Sequence, residues 1–131
     1  MRTTVRWLFR ATAVLAALLA TVQPVLGSFS LFRPSDQVRY DTVHLALGGV
    51  LYNLSIVLAV LAPFTRFRHR WALFAIGLAQ YGLLHMQLRL GLGSNDDAGL
   101  LAYHIPVGVL IFFISYLTVA IGFGLQLKPD R

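Results

Sequence analysis

Arg6-Trp7, then a hydrophobic run, then Gln23-Pro24-Val25-Leu26-Gly27: the pattern returns as Arg70-Trp71 and, at the same spacing, Gln87-Leu88-Arg89-Leu90-Gly91. Aligned at an offset of 64, residues 6–27 and 70–91 share seven identities in 22 positions. Leucine and alanine matches are cheap in apolar sequence, whereas arginine, tryptophan and glutamine matches are not. Each Q-x-x-L-G leads through a polar loop into H-x-x-x-G at the head of another apolar run, His44 to Gly48 and His104 to Gly108. These later runs align at an offset of 60, pairing Ser55 with Ser115. The four-residue difference falls in a loop, where length is cheap. The chain therefore reads as two tandem helical hairpins, repeat 1 over about 6–63 and repeat 2 over about 70–125, within one domain spanning 1–131.

Composition sets the solvent. The chain is 57% hydrophobic and 12% charged, with mean hydropathy +0.71. Such values mark a membrane protein rather than an ordinary soluble domain. Four segments, near 7–27, 42–63, 71–92 and 103–125, are expected to cross a hydrocarbon core that takes about 20 helical residues. Helices are the only credible spanning element, because lipid leaves open backbone groups without partners and nothing here alternates like a barrel strand. The expected fold is an all-α, four-transmembrane-helix bundle. Its two hairpins form a parallel repeat about an axis along the membrane normal. Ala13, Ala16, Ala17 and Ala20, and Gly48 with Gly49, offer small faces for close packing. Pro63 is expected to end a helix and Pro106 to sit near the start of one.

A pI near 10.5 is often taken as a sign of nucleic-acid binding. Here topology accounts for it. Arg2, Arg6, Arg10, Arg66, Arg68, Arg70, Lys128 and Arg131 fall on one side, while Arg33, Arg39 and Arg89 on the other are offset by Asp36, Asp41, Asp96 and Asp97. The positive-inside rule puts both termini in the cytoplasm of a multi-pass cell-membrane protein, with Trp7 and Trp71 at that boundary. No nucleic-acid partner is expected. A basic start, the apolar run 13–22 and small residues near Gly27-Ser28 also describe a signal peptide. The repeat mate beginning at Trp71 favours a retained helix. The absence of cysteine removes thiolate metal sites and thioether haem attachment from consideration.

Of four histidines, His69 lies among Arg66, Arg68 and Arg70 and reads as a solvated loop residue. His44, following Asp41 as a candidate N-cap, and His104 both fall near helix starts at matched depth on the outer side. Gly48 and Gly108 lie one turn deeper on the same faces, where a flat macrocycle would need clearance. One b-type haem held by His44 and His104 fits this arrangement, as iron takes an imidazole from each side. Gln23 and Gln87 would then support an imidazole or propionate, and Arg33, Arg39 and Arg89 are cationic partners for propionates. His85, whose repeat mate is Thr21, breaks the symmetry as an alternative ligand, a proton carrier or a hydrogen-bonding group. The competing reading is that these histidines are polar interface residues with no cofactor. Asn53, Ser55 and Ser115 read as interhelical hydrogen bonders.

With Q-x-x-L-G closing odd helices and H-x-x-x-G opening even ones, the chain resembles the small uncharacterised four-helix membrane proteins of bacteria and archaea. A looser likeness, resting on His44 and His104 alone, is to membrane b-type cytochromes. That likeness implies haem b and electron transfer near the outer face, with a quinone or a larger membrane complex as partner. Two-haem transmembrane cytochromes need four ligands near both faces, a pattern this sequence lacks. No phosphate loop, nucleophile with its base or mid-membrane carboxylate is present, so an electron-transfer or accessory protein is expected rather than an enzyme. The alternatives are a cofactor-free accessory subunit of a larger complex and, below it, a small-molecule carrier.

Overall fold

In the computed structural model, which describes residues 2–32, 37–94 and 96–124, the chain forms four long helices and no strand among the described residues. They are α1 (Arg2–Phe32), α2 (Gln37–Leu61), α3 (Arg70–Gly93) and α4 (Leu101–Phe123). A 3-10 turn, Ala62–Thr65, follows α2, and another, Ala98–Leu100, precedes α4. Pro63 enters the first of these turns and α2 stops there, as its missing N–H and fixed φ dictate. Arg66 follows in the left-handed region at φ 54°, and the chain turns back into α3.

Helix boundaries depart from the hydropathy reading at two places. α1 continues past Gly27 to Phe32 and carries Pro24 inside it. Gly27 does not end the helix because it stays helical; Gly124 is the one described glycine at positive φ. α2 begins at Gln37, so Asp41 is a helical residue rather than the N-cap, and His44 lies about two turns in. The turn before α4 is capped by Asp97, whose carboxylate accepts from the Gly99 N–H at 2.8 Å.

The helices form a closed ring in which α1 touches α2 and α4, and α3 touches α2 and α4, leaving α1/α3 and α2/α4 as the diagonals. Large apolar side chains point outward, among them Trp7, Leu18, Val60, Trp71 and Phe113. The interior instead holds small and polar groups: Ala13, Ala16, Ala17 and Ala20, with Ser55, Gln80, Ser115 and Thr118 buried beside Phe9, Leu51, Leu73 and Ile111. An apolar exterior around a partly polar core inverts the soluble pattern. By length and composition, α1, α2 and α4 can each cross a membrane. The fourth expected span, α3, does not join them, since Gln80, His85, Gln87 and Arg89 lower its hydropathy.

Matched positions share environments. Sixty residues apart in α2 and α4, His44 and His104 are both half-buried, as are Gly48 and Gly108. Leu51 with Ile111, Ser55 with Ser115 and Leu58 with Thr118 are all buried. At the offset of 64, Phe9 with Leu73, Ala13 with Gly77, Ala16 with Gln80 and Ala20 with Leu84 are likewise buried in α1 and α3.

The proposed small face of α1 is thus buried as expected, but Gly49 is exposed with nothing near it and takes no part in packing. A close backbone approach lies between α3 and α2, where a Cβ on Gly77 would stand 2.9 Å from backbone atoms of Ala59. At the arginine end, Arg6 Nε donates to the Thr65 carbonyl (2.8 Å) and Arg10 Nε to the Gly122 carbonyl (2.9 Å). Both satisfy carbonyls at helix ends, where the macrodipole is negative.

Candidate functional site

At the opposite end of the bundle the H-x-x-x-G and Q-x-x-L-G segments interlock. Within the first hairpin the His44 ring lies over Gly27, where an added Cβ would be 3.5 Å from ring carbon Cε1. In return the Gln23 amide lies over Gly48, 3.6 Å from the corresponding position, and donates to the His44 carbonyl at 3.1 Å. The second hairpin repeats the clasp more tightly. A Cβ on Gly91 would be 3.0 Å from the His104 ring, and one on Gly108 would be 3.1 Å from the Gln87 amide. The four glycines therefore have a packing reason: each accepts a flat polar group from the neighbouring helix. Clearance over Gly48 and Gly108, expected for a macrocycle, is filled by the glutamine amides.

Gln87 grips His104 at both ring nitrogens. The His104 Nδ1–H donates to the Gln87 backbone carbonyl at 3.2 Å, and Nε2 accepts from the Gln87 side-chain amide at 3.0 Å. This assignment satisfies both contacts and leaves the Nε2 lone pair as the acceptor. An imidazole fixed by a backbone carbonyl at Nδ1, with Nε2 held as acceptor, is the form in which histidine ligates metals.

The two rings then meet across the bundle. Although α2 and α4 are diagonal, the His44 and His104 ring centroids are 6.3 Å apart, with planes inclined at 51°. Two imidazoles sharing one metal, each nitrogen about 2 Å from it, bring their centroids to about this separation. Two buried polar atoms in the cluster have no hydrogen-bond partner, His44 Nδ1 and Gln87 Oε1. Orphaned polar atoms of this kind call for a ligand or an ordered water. Among the described residues no group of three or more His, Cys, Asp or Glu could hold a metal ion.

The remaining sequence candidates fall outside this cluster. Arg39 and Arg89 are exposed at the same end, within helical turns that flank it, and Arg33 lies outside the described residues. His85 is exposed on α3 beside Tyr52, with ring centroids 6.5 Å apart, away from the His44–His104 pair. His69 is half-buried with Nε2 buried and unpartnered, so it is not simply a solvated loop residue. Asn53 bonds its own helix at the Gly49 carbonyl, as Ser55 does at Tyr52, so neither links helices. Ser115 does, accepting from Gln80 Nε2 at 2.9 Å. Sequence reading does not single out Gln80; its signal is an amide where the repeat mate is Ala16. No family model matches the chain, and no match is found among curated proteins or among solved structures.

Proposed function

We propose that the chain is a small integral-membrane protein holding one b-type haem between His44 and His104 for electron transfer near the outer face. On this reading both termini are cytoplasmic and the two hairpins are copies of one unit. The observation that carries it is the meeting of two matched imidazoles from diagonal helices at 6.3 Å. Opposed axial imidazoles are what a low-spin b-type iron takes, and bound haem would supply one-electron chemistry.

The protein's own residues have defined parts. His104 presents Nε2 because Gln87 occupies Nδ1 through its backbone carbonyl. The Gln87 amide, which holds His104 Nε2 in this structure, would have to leave that nitrogen for iron to take it. Gly27 and Gly91 let both imidazoles lie against helix backbone, fixing their depth. Arg39 and Arg89 are the cations within reach of that end for propionate carboxylates.

Absorption spectroscopy of the purified protein from haem-replete cells tests this directly. A Soret band with sharp reduced α and β bands is expected. His44→Ala and His104→Ala each remove or shift it, while His69→Ala retains it. Protein that is colourless and takes up no added haem ends the proposal. In that case the Gln–His clasp is a structural lock between helices, as in a cofactor-free accessory subunit.

A further inference from the structure

At the arginine end an open groove of about 350 Å³ runs down the outside of α1, lined by Trp7, Arg10, Ala11, Val14 and Leu18 and by Phe123 of α4. From Trp7 to Leu18 it extends about 16 Å, at a helical rise of about 1.5 Å per residue. Ala11 is the small residue of this stripe and leaves its floor low between the bulk of Trp7 and of Leu18.

Arg10 is the charged residue in the lining, and it is held in place. Its Nε donates to the Gly122 carbonyl at 2.9 Å, and its guanidinium carbon lies 5.0 Å from the Phe123 ring centroid, 5.4 Å from that of Trp7 and 5.5 Å from that of Phe67. Its Nη groups make no hydrogen bond among the described residues. Arg6, one turn away, is fixed in the same manner, with Nε on the Thr65 carbonyl and its guanidinium carbon 5.4 Å from the Phe67 ring centroid. Two cations whose geometry is already set lose little freedom on meeting an anion, and a guanidinium fork suits a phosphate.

Charge selects the head group. Among the described residues the acidic ones, Asp41, Asp96 and Asp97, lie at the opposite end, by the start of α2 and in the connection to α4. Arg6, Arg10, Arg66, Arg68 and Arg70 share their end with none of them. A head group bearing an ammonium would bring its cation among arginines with no carboxylate to receive it. The other hairpin supplies a contrast. At the offset of 64, Arg10 and Val14 match Phe74 and Leu78, which line a groove of about 240 Å³ between α2 and α3. That groove has no cation in its lining, so an apolar chain alone suits either, and only the α1 groove adds a grip on an anion.

We infer that the α1–α4 groove binds an anionic phospholipid, with one acyl chain along Ala11 to Leu18, its phosphodiester on the Nη groups of Arg10, and Arg6 as the second cation. Both helices are long and apolar enough to cross a membrane, where lipid is their neighbour. This binding rests on the integral-membrane part of the proposed function and needs no haem.

The test uses the full chain carrying Trp71→Phe, which leaves Trp7 as its one tryptophan, in vesicles of phosphatidylcholine and phosphatidylglycerol. Either lipid is supplied with brominated acyl chains, which quench the indole on contact. Trp7 should select phosphatidylglycerol over phosphatidylcholine about fivefold, the worth of one arginine beside an anionic lipid. Arg10→Gln should remove the selection. Ala11→Leu, which raises the floor and leaves every contact of Arg10 in place, should also reduce it, while Arg70→Gln on α3 leaves it unchanged. Equal quenching by the two lipids, selection that survives both groove variants, or displacement by glycerol phosphate or oleate as effective as by phosphatidylglycerol overturns the inference. So does a Trp7 shielded from both brominated lipids, since a second copy or another protein then covers the groove. Membranes are washed with alkaline carbonate in parallel. Release of the wild-type chain ends the membrane reading and this binding with it; retention without selection ends this binding alone.

Discussion

The two hairpins carry the same clasp at different tightness. In α1–α2 the His44 ring lies at ordinary contact distance from the Gly27 position, and the Gln23 side-chain amide donates to the His44 backbone carbonyl rather than to its ring. In α3–α4 the His104 ring presses closer to Gly91, and Gln87 holds both of its nitrogens. One half thus fixes its imidazole fully, while the other leaves Nδ1 buried and unsatisfied. The same asymmetry appears deeper, where Gly77 and Gln80 replace the Ala13 and Ala16 of the first half.

The largest effect is expected where that asymmetry is steric. Gly77→Ala drives a methyl into the Ala59 backbone. It should destabilise the protein by about 1–3 kcal/mol, read as a lower melting temperature in detergent. Ala13→Gly, at the mate, should cost no more than about 1 kcal/mol. Equal losses would show that the two interfaces pack alike.

Next come the serines. Ser115→Ala strands the buried Gln80 amide. The loss should be roughly 1 kcal/mol or somewhat more, within the range for an unsatisfied buried donor. Ser55→Ala removes only a bond to its own helix and should change little. Gln80→Ala made together with Ser115→Ala should recover part of the loss, and a strictly additive double mutant would break the pairing.

The smallest effect differs in sign. Gly27→Ala adds a methyl at ordinary contact distance. It should stabilise α1 by about 0.5–1 kcal/mol. Gly91→Ala meets the His104 ring at 3.0 Å, so crowding cancels that gain and moves the imidazole. On the proposed haem reading, the Soret or α-band maximum of Gly91→Ala should shift, while that of Gly27→Ala stays near wild type.

Much of the fold was legible because apolar length and proline position are local properties. Pro63 marked the end of α2, and four apolar runs became four helices. The ends of α1 were not legible, since Gly27 resembles a stop signal but serves a ring on another helix. Likewise Asp41 looked like a cap only because the residues before it, beginning at Gln37, gave no helix signal of their own. The pairing of His44 with His104 followed from the repeat. The occupation of Gly48 and Gly108 by glutamine amides did not, because spacing gives depth along a helix and not which neighbour fills the gap. Gln80 went unseen for the same reason: a polar residue in an apolar run has no sequence mark of its partner, Ser115.

The two arginine latches also bear on the order of assembly. Arg6 fastens to Thr65 and Arg10 to Gly122, acceptors 59 and 112 residues downstream. During synthesis the first helix can secure its nearer hold as soon as the first hairpin exists, yet the farther hold arrives only with the last turn of α4. Closure of the ring therefore waits for the last turn of α4, and until then the wall of α1 that meets α4 has no partner in the chain.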